Sequence, residues 1–146
     1  MNESSETPRD YLKYPDIESE LGEFQRVATT FGIDSSGLLF LARAGELVSL
    51  DPSIWEKLEN TDSNSFSKGD WDSVHDHSNP DGEKKRDWEE VRNNFDSGGT
   101  LDAPIIMKYG DQFHLVSGNT RLMVLKASGI VPKVLLFEVN KQDESI

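Results

Sequence analysis

The stretch LVSGNTRLMVLKASG, residues 115–129, joins two hydrophobic patterns through a small polar segment. The segment QFHLV before the turn reads as a β-strand, and NTRLMVLKAS after it reads as a helix that ends at Gly129. At such a strand-to-helix turn, the first amide N–H groups of the helix have no partner inside the helix and lie at the positive end of its dipole. The stretch therefore predicts a helix N-terminus that attracts an anion.

The residue types in this turn suit the binding of a phosphate. Gly118 would let a ligand approach the backbone, and Asn119 or Thr120 could cap the helix or bond a phosphate oxygen. Arg121 could present its guanidinium fork on the first helical turn. The alternative is an ordinary helix cap in which Arg121 pairs with a surface carboxylate. The candidate phosphate-binding residues here are Ser117, Gly118, Asn119, Thr120 and Arg121.

The segments around the turn predict a small sheet. APIIMKY and QFHLV read as two strands joined by a tight turn at Gly110-Asp111, and PKVLLFEV reads as a final strand. The last two strands are joined through a helix, which favours a right-handed parallel or mixed arrangement. We therefore predict an α+β fold with a small mixed sheet and packed helices.

The N-terminal third predicts helices. Asp16 can cap a helix that stops at Gly32, GLLFLARAGELVSL predicts a second helix, and Asp51 can cap a third over DPSIWEKLEN. WEEVRNNF predicts a short helix closed by SGG. The expected division of this single domain is a flexible tail over 1–16, a helical N-terminal region over 17–59, a polar insertion or long loop over 60–87, a core over 88–140 and a tail over 141–146.

Charge is distributed unevenly along the chain. The net charge is −12, and residues 1–100 hold 22 acidic and 10 basic side chains, whereas residues 101–140 hold three acidic and four basic ones. A strongly acidic chain does not displace counterions from a polyanion, so direct nonspecific DNA binding is not expected. A pocket with one basic residue that holds a single phosphate group remains compatible with this balance.

Other classes of site and location are restricted by composition. The chain has no cysteine, which excludes disulfides, thiolate metal sites and a cysteine nucleophile. No apolar run is long enough to span a membrane, and MNESSETPRD lacks the features of a signal peptide. We expect a cytoplasmic protein without membrane contact.

The run from EEVRNNF to VLLFEV, about 50 residues or a third of the chain, resembles the ParB/sulfiredoxin superfamily. The matching elements are Pro104-Ile105-Ile106, Gly118-Asn119-Thr120-Arg121 and Pro132-Lys133-Val134. Within that superfamily the chain most resembles small ParB-like proteins of tailed phages, and the expected cytoplasm is that of the host if the chain is phage-encoded. The resemblance implies this fold and a Gly-x-x-Arg turn that binds nucleotide phosphates.

The same resemblance implies a ligand such as ATP or CTP with Mg²⁺, and phosphatase, nuclease or phosphotransferase activity. Arg92 and Asn94 on the preceding helix would help to hold phosphates, and either Glu89 or Glu90 would act as a base, although both could be solvated first-turn carboxylates. The sulfiredoxin branch needs a cysteine near the position of Asn119, so sulfinic acid reduction is excluded. The partition-protein branch carries a DNA-binding domain after this fold, and with only NKQDESI following, a role in partition is not expected.

Two further interpretations stay open. In DWDSVHDH, the side chains of Asp72, His75 and His77 could bind Zn²⁺ or Mn²⁺, although the spacing matches no ligand signature and solvated side chains are the plainer interpretation. The chain could also be a non-enzymatic inhibitor or nucleic-acid mimic whose acidic N-terminal region binds a basic protein partner. We expect His114 to lie on the sheet surface without a catalytic role.

Overall fold

The computed structural model describes residues 12–61, 63–78 and 88–140, and only the backbone of His77 and Ser78. The predicted tail over 141–146, residues 1–11 and residues 79–87 of the predicted insertion lie outside this part. The described chain has the predicted α+β fold. In chain order its elements are β1 (Leu12–Lys13), a 3-10 turn (Ile17–Glu20), α1 (Leu21–Phe31), α2 (Ser35–Arg43), β2 (Glu46–Ser49), α3 (Pro52–Lys57), a 3-10 turn (Ser63–Ser65), α4 (Trp71–Ser78), α5 (Trp88–Asp96), β3 (Leu101–Asp102), β4 (Ile105–Tyr109), β5 (Gln112–Ser117), α6 (Asn119–Ser128) and β6 (Lys133–Val139).

A four-stranded sheet in the order β2-β6-β4-β5 forms the centre of the fold. β4 and β5 form an antiparallel hairpin around Gly110, while β4 and β6 pair in parallel, so the sheet is mixed as predicted. The crossover through α6 places β6 beside β4, so the strands that the helix joins are not neighbours. This crossover positions the N-terminus of α6 at the end of β5.

Helices cover both faces of this sheet because side chains on a strand alternate in direction. Along β4, Ile105 and Met107 belong to one hydrophobic cluster and Ile106 belongs to another. The helices α1 and α2 cover the first face, whereas α3 and α6 cover the second. The first cluster includes Phe24, Val27, Leu38, Met107 and Phe137, and the second includes Trp55, Leu58, Ile106, Leu115 and Leu122.

The prediction of a helix over residues 37–50 is wrong in its second half. α2 ends at Arg43, and residues 46–49 form β2, which pairs antiparallel with β6. At Gly45 the backbone passes so close to β6 that an added Cβ would lie 2.8 Å from the carbonyl oxygen of Leu136. The apolar pattern of GELVSL fits both the helical and the strand period. The hydrogen bonds offered by the edge of β6 favour the strand.

The predicted loop over residues 60–87 is largely structured where it is described. The helix α4 and the preceding 3-10 turn pack against α6, with Phe66 and Val74 buried. The segment has too few apolar residues to display a helical period, and its polar composition is typical of a loop. Contact with α6 supplies the stabilisation that the local sequence does not indicate.

The predicted flexible tail also differs from the structure at its C-terminal end. Leu12 and Pro15 are buried, and β1 pairs in parallel with β3 through Leu12 and Leu101. Pairing with a strand almost 90 residues away cannot be read from a short polar segment. Residues 12–16 are therefore part of the packed domain.

Candidate functional site

The strand-to-helix turn begins at Ser117 and passes through Gly118, which has φ 112° and ψ 21°, into α6. A Cβ at Gly118 would lie 2.7 Å from the Cβ and 2.9 Å from the Cα of Pro104. Pro104 therefore fills the space beside Gly118. The sequence analysis had expected a ligand to approach the backbone through that space. The glycine is required both by its left-handed conformation and by this close packing.

A cleft of about 640 Å³ opens beside this turn. Its walls come from α1, the end of β5, the first turn of α6 and the segment after α3. Binding sites for small molecules commonly have volumes of about 300 to 1,000 Å³, so the cleft has room for a nucleotide. It is lined by Glu23, Arg26, Asn60, Thr61, Leu115, Val116, Ser117, Gly118, Asn119, Thr120 and Arg121.

Arg121 lies in the less exposed part of the cleft, its inner end, where several oxygen atoms hold its guanidinium. Its Nη1 donates to the carbonyl oxygen of Asp102 at 2.6 Å, and its Nη2 donates to Oγ of Ser117 at 3.3 Å. The same Nη2 lies 3.7 Å from Oε2 of Glu20, whose Oε1 accepts a hydrogen bond from Ser117 Oγ at 2.7 Å. Glu20, Ser117 and Arg121 therefore form one network.

This network is largely shielded from solvent. The side chains of Arg121 and Glu20 are 17% and 20% exposed. Burial lowers the pKa of Arg121, while the charges of Glu20 and Asp102 raise it. The carboxylate pairing that the sequence left as an alternative for Arg121 is thus present, with a carboxylate that is mostly buried.

Arg26 lines the more exposed part of the same cleft, its outer end. Its Nη2 donates to the carbonyl oxygen of Val116 at 3.0 Å, and its Nε donates to Oε1 of Glu23 at 3.0 Å. The side chains of Arg26 and Glu23 are 44% and 48% exposed. A guanidinium in this position can turn toward a ligand with little loss of stabilising contact.

The wall opposite α1 carries amide and hydroxyl groups. Asn60 donates from Nδ2 to the carbonyl oxygen of Leu115 at 3.1 Å, and Thr61 donates from Oγ1 to Oδ1 of Asn119. Thr61 is also bonded to Ser63, whose Oγ accepts from the indole N–H of Trp55 at 2.8 Å. This partly buried chain of hydrogen bonds anchors the segment after α3 against the first turn of α6.

Sequence reasoning missed the cleft residues outside the turn. These residues belong to segments assigned to the helical region or to the insertion, and no motif distinguishes them. A helical period places polar side chains on one face of α1 but does not indicate what that face contacts. The missed lining residues are Glu23, Arg26, Asn60 and Thr61, and Glu20, which contacts Ser117 and Arg121 behind the lining, was missed as well.

The predicted site residues on α5 do not line this cleft. Glu89, Glu90 and Asn94 line a different groove, and the guanidinium carbon of Arg92 lies 3.7 Å from the ring centre of Trp71. Nδ2 of Asn94 also donates to the carbonyl oxygen of Thr100, directly before β3, at 3.1 Å. The helix packs beside α6 and β3, whereas the turn opens toward α1. The structure thus does not bring these four side chains to Arg121.

The candidate metal ligands are only partly described. Nδ1 of His75 lies 3.5 Å from Oδ1 of Asp76, and its ring stands edge-on to Trp88 with the centroids 6.2 Å apart. Over the described residues, no group of three His, Cys, Asp or Glu side chains could hold a metal ion. The side chain of His77 lies outside the described part, so the metal site with Asp72 stays a hypothesis.

His114 lies on β5, at the sheet edge, with its ring 4.7 Å from that of Phe31. Its Nε2 is 3.2 Å from Oε1 of Gln112, and its backbone forms an isolated parallel β-bridge with Glu59. Burial lowers the pKa of His114, and the charge of Glu59 raises it to a smaller extent. The histidine does not line the cleft.

No protein-family model matches this chain, and no curated protein or solved structure does so either. The resemblance to the ParB/sulfiredoxin superfamily therefore stays a prediction. Across residues 12–61, 63–78 and 88–140, no helix has the length and apolar character needed to cross a membrane.

Proposed function

We propose that the chain binds a phosphate-bearing small molecule, with a nucleotide as the first candidate, in the cleft between α1 and the N-terminus of α6. The observation that carries this proposal is that Arg26 and Arg121 line one cleft together with the first turn of a ten-residue helix. Guanidinium groups and helix N-termini both favour anions, and they act together on a ligand that reaches both.

The cleft also favours a particular way of holding the rest of the ligand. Its described lining has no aromatic side chain, so a base would be held by hydrogen bonds and by contact with Leu115 and Val116 instead of by stacking. Asn60 and Thr61 provide amide and hydroxyl groups on the wall opposite α1. These groups suit a ribose or the polar edge of a base.

The proposal concerns binding, and catalysis is a separate question. The resemblance to the ParB/sulfiredoxin superfamily implies ATP or CTP with Mg²⁺ and a phosphatase, nuclease or phosphotransferase step. Glu89 and Glu90 line the groove beside α5 and not this cleft, so among the described residues Glu20 and Glu23 are the carboxylates placed to act as a base for such a step. A cytoplasmic location, in the host if the chain is phage-encoded, belongs to the same proposal.

A thermal-shift screen with ATP, CTP, GTP and inorganic phosphate, each with and without Mg²⁺, tests the binding. A ligand present at 100 times its dissociation constant should stabilise the fold by about 2.7 kcal/mol. For the best ligand, Arg121→Ala should weaken binding by about 10- to 150-fold, which corresponds to the loss of one charge-assisted hydrogen bond.

Two variants make this measurement specific. Arg121→Lys should fall between the parent and the alanine variant, because an ammonium keeps the charge and loses the planar fork. Arg43→Ala removes the same charge from an exposed pair with Glu18 outside the cleft, and it should leave calorimetric affinity unchanged. An Arg121→Ala protein that folds and keeps the parent affinity would rule out the assignment.

A second candidate is supported by the acidic excess of residues 1–100 and by Phe40, which is 72% exposed on α2. These features suit a non-enzymatic inhibitor or nucleic-acid mimic that binds a basic protein. The same screen separates the two candidates, since an interaction protein of this kind should respond to none of the four ligands.

A further inference from the structure

We infer that Glu20 is an internal competitor for the phosphate position, so that a phosphate binds only by replacing the Glu20 carboxylate, and that the cleft prefers dianionic phosphate monoesters to monoanionic phosphodiesters. This inference rests on the proposed function, because it concerns which phosphate group the same cleft accepts. It assigns a role in ligand binding to Glu20, a residue outside the turn.

The competition follows from shared hydrogen-bond donors. Ser117 Oγ donates to Oε1 of Glu20 at 2.7 Å, and Nη2 of Arg121 lies 3.7 Å from Oε2. Carboxylate and phosphate oxygens accept hydrogen bonds from hydroxyl and guanidinium groups with similar geometry. A phosphate bound by Ser117 and Arg121 therefore needs the position that Glu20 occupies.

The other side of the guanidinium offers no substitute. Nη1 of Arg121 donates to the carbonyl oxygen of Asp102 at 2.6 Å, a contact that joins α6 to β3. This bond holds the Nη1 side of the guanidinium against the backbone of β3. A phosphate that takes the Ser117 hydroxyl together with Nη2 of Arg121 thus requires the departure of Glu20.

Glu20 is placed where it can depart. It is the last residue of the 3-10 turn before α1, and Ser19 and Leu21 on either side of it are exposed. A rotation of its side chain would carry the carboxylate from a site that is 20% exposed into water. The carboxylate would then recover the hydration that it loses in the buried pair.

Charge determines which ligands can replace Glu20. Removal of the carboxylate leaves Arg121 buried without its anionic partner, which is unfavourable unless the ligand restores the charge. A phosphodiester has one negative charge, so it only replaces the charge that is lost when Glu20 leaves. A phosphate monoester is dianionic above its second pKa of about 6, so it adds attraction to both Arg121 and the positive end of α6.

The test compares Glu20→Gln with the parent protein at pH 8, using AMP and CMP, their 3′,5′-cyclic diesters and inorganic phosphate in calorimetry. The parent should bind the monoesters more tightly than the cyclic diesters. Glu20→Gln keeps the shape and removes the negative charge, so it should bind both classes more tightly, by about tenfold for the monoesters. The gain for the cyclic diesters should be no larger, because both classes displace the same carboxylate, so the preference for monoesters should remain.

A matched control distinguishes local competition from a change in net charge. Glu18→Gln removes one charge two residues away, from an exposed pair with Arg43, and should change these affinities by less than about twofold. An equal gain in both variants would mean that long-range charge is responsible, and the inference would be wrong.

Urea unfolding of each Glu20 variant shows whether a change in its affinity comes from loss of folded protein. Glu20→Asp retains the charge on a side chain one methylene shorter, which weakens its contact with Ser117 and Arg121, so its affinity should lie between those of the parent and Glu20→Gln. Unchanged or weaker binding by both Glu20 variants, while the parent binds, would overturn the inference and leave the proposed function intact. Failure of the parent and both variants to bind any of the probes would refute both.

Discussion

The inner and outer ends of the cleft each carry an arginine paired with a glutamate from the N-terminal region. At the inner end, Arg121 and Glu20 are 17% and 20% exposed, and the pair shares Ser117. At the outer end, Arg26 and Glu23 are 44% and 48% exposed and lie three residues apart on one helix. The same two residue types thus form a long-range, mostly buried pair and a local exposed pair.

This difference has energetic consequences. An exposed pair contributes about 0 to 1 kcal/mol, because water screens the charges and two long side chains must be ordered. Removing one member of a buried pair costs several kcal/mol, because the remaining charge keeps its desolvation penalty without its partner. The inner end should therefore be sensitive to substitution in both stability and binding, while the outer end should affect binding with little change in stability.

The largest expected effect is the loss of the turn that supports the inner end. Gly118→Ala should lower the free energy of unfolding by about 2 to 4 kcal/mol, because the side chain would be strained at φ 112° and would meet Pro104 at 2.7 Å. Urea denaturation measures this change. Gly32→Ala is the matched control, since Gly32 also has a positive φ, of 68°, but an added Cβ would meet no atom within 4 Å.

Equal losses in the two glycine variants would mean that backbone conformation alone accounts for the effect. Contact between Gly118 and Pro104 would then contribute nothing to the placement of the inner end.

The next effect compares the two arginines directly. Arg121→Ala should lower the free energy of unfolding by about 1 to 3 kcal/mol, a value reduced from that of a fully buried pair because Glu20 remains bonded to Ser117 and is partly exposed. Arg26→Ala should cost about 1 kcal/mol or less. Urea denaturation at low and high salt checks both, and only the smaller Arg26 effect should be screened by salt to a large extent.

Similar decreases in the free energy of unfolding for Arg121→Ala and Arg26→Ala would contradict the distinction between the inner and outer ends of the cleft. In that case the exposed fraction of the pair would not determine its contribution to stability.

The smallest expected effect concerns His114, which packs on Phe31 of α1, the helix that carries Arg26. The pKa of His114 is lowered in the folded protein from its usual value of 6.5, so the unfolded chain binds a proton at a higher pH than the folded one. The stability that neutral His114 contributes is therefore present above about pH 6.5 and is lost as the pH falls from there through the folded pKa.

His114→Gln should reduce this dependence of stability on pH between 7 and 5. The comparison of urea denaturation in the two proteins cancels the titration of the other histidines. An identical slope in parent and variant would show that His114 has no differential titration.

Local signals account for the part of the fold that could be predicted. Asp51 caps α3 by accepting from the amide of Ser53 at 2.9 Å, and Gly32 and Gly129 end their helices in the left-handed conformation. Each of these features depends on a few neighbouring residues. The predicted hairpin at Gly110 formed for the same reason.

Two elements could not be predicted because distant partners stabilise them. β2 is an edge strand whose hydrogen bonds come from β6, although the segment GELVSL that contains it also fits a helix. The helix α4 depends on contacts with α6, although six of the eight residues in its sequence WDSVHDHS are polar. In both cases the stabilising groups lie far away in the chain.

The sequence by itself determined the polar turn from Ser117 to Arg121, because a strand, a glycine and a helix start are set by residues that are neighbours in the chain. Only the tertiary structure decided that Glu20 bonds to Ser117 across 97 residues and pairs with Arg121. It also decided that Glu89 and Glu90 lie in another groove. The physical reason is that these placements depend on how α1 packs across β5 and how α5 packs beside α6, and such contacts have no periodicity that a single sequence displays.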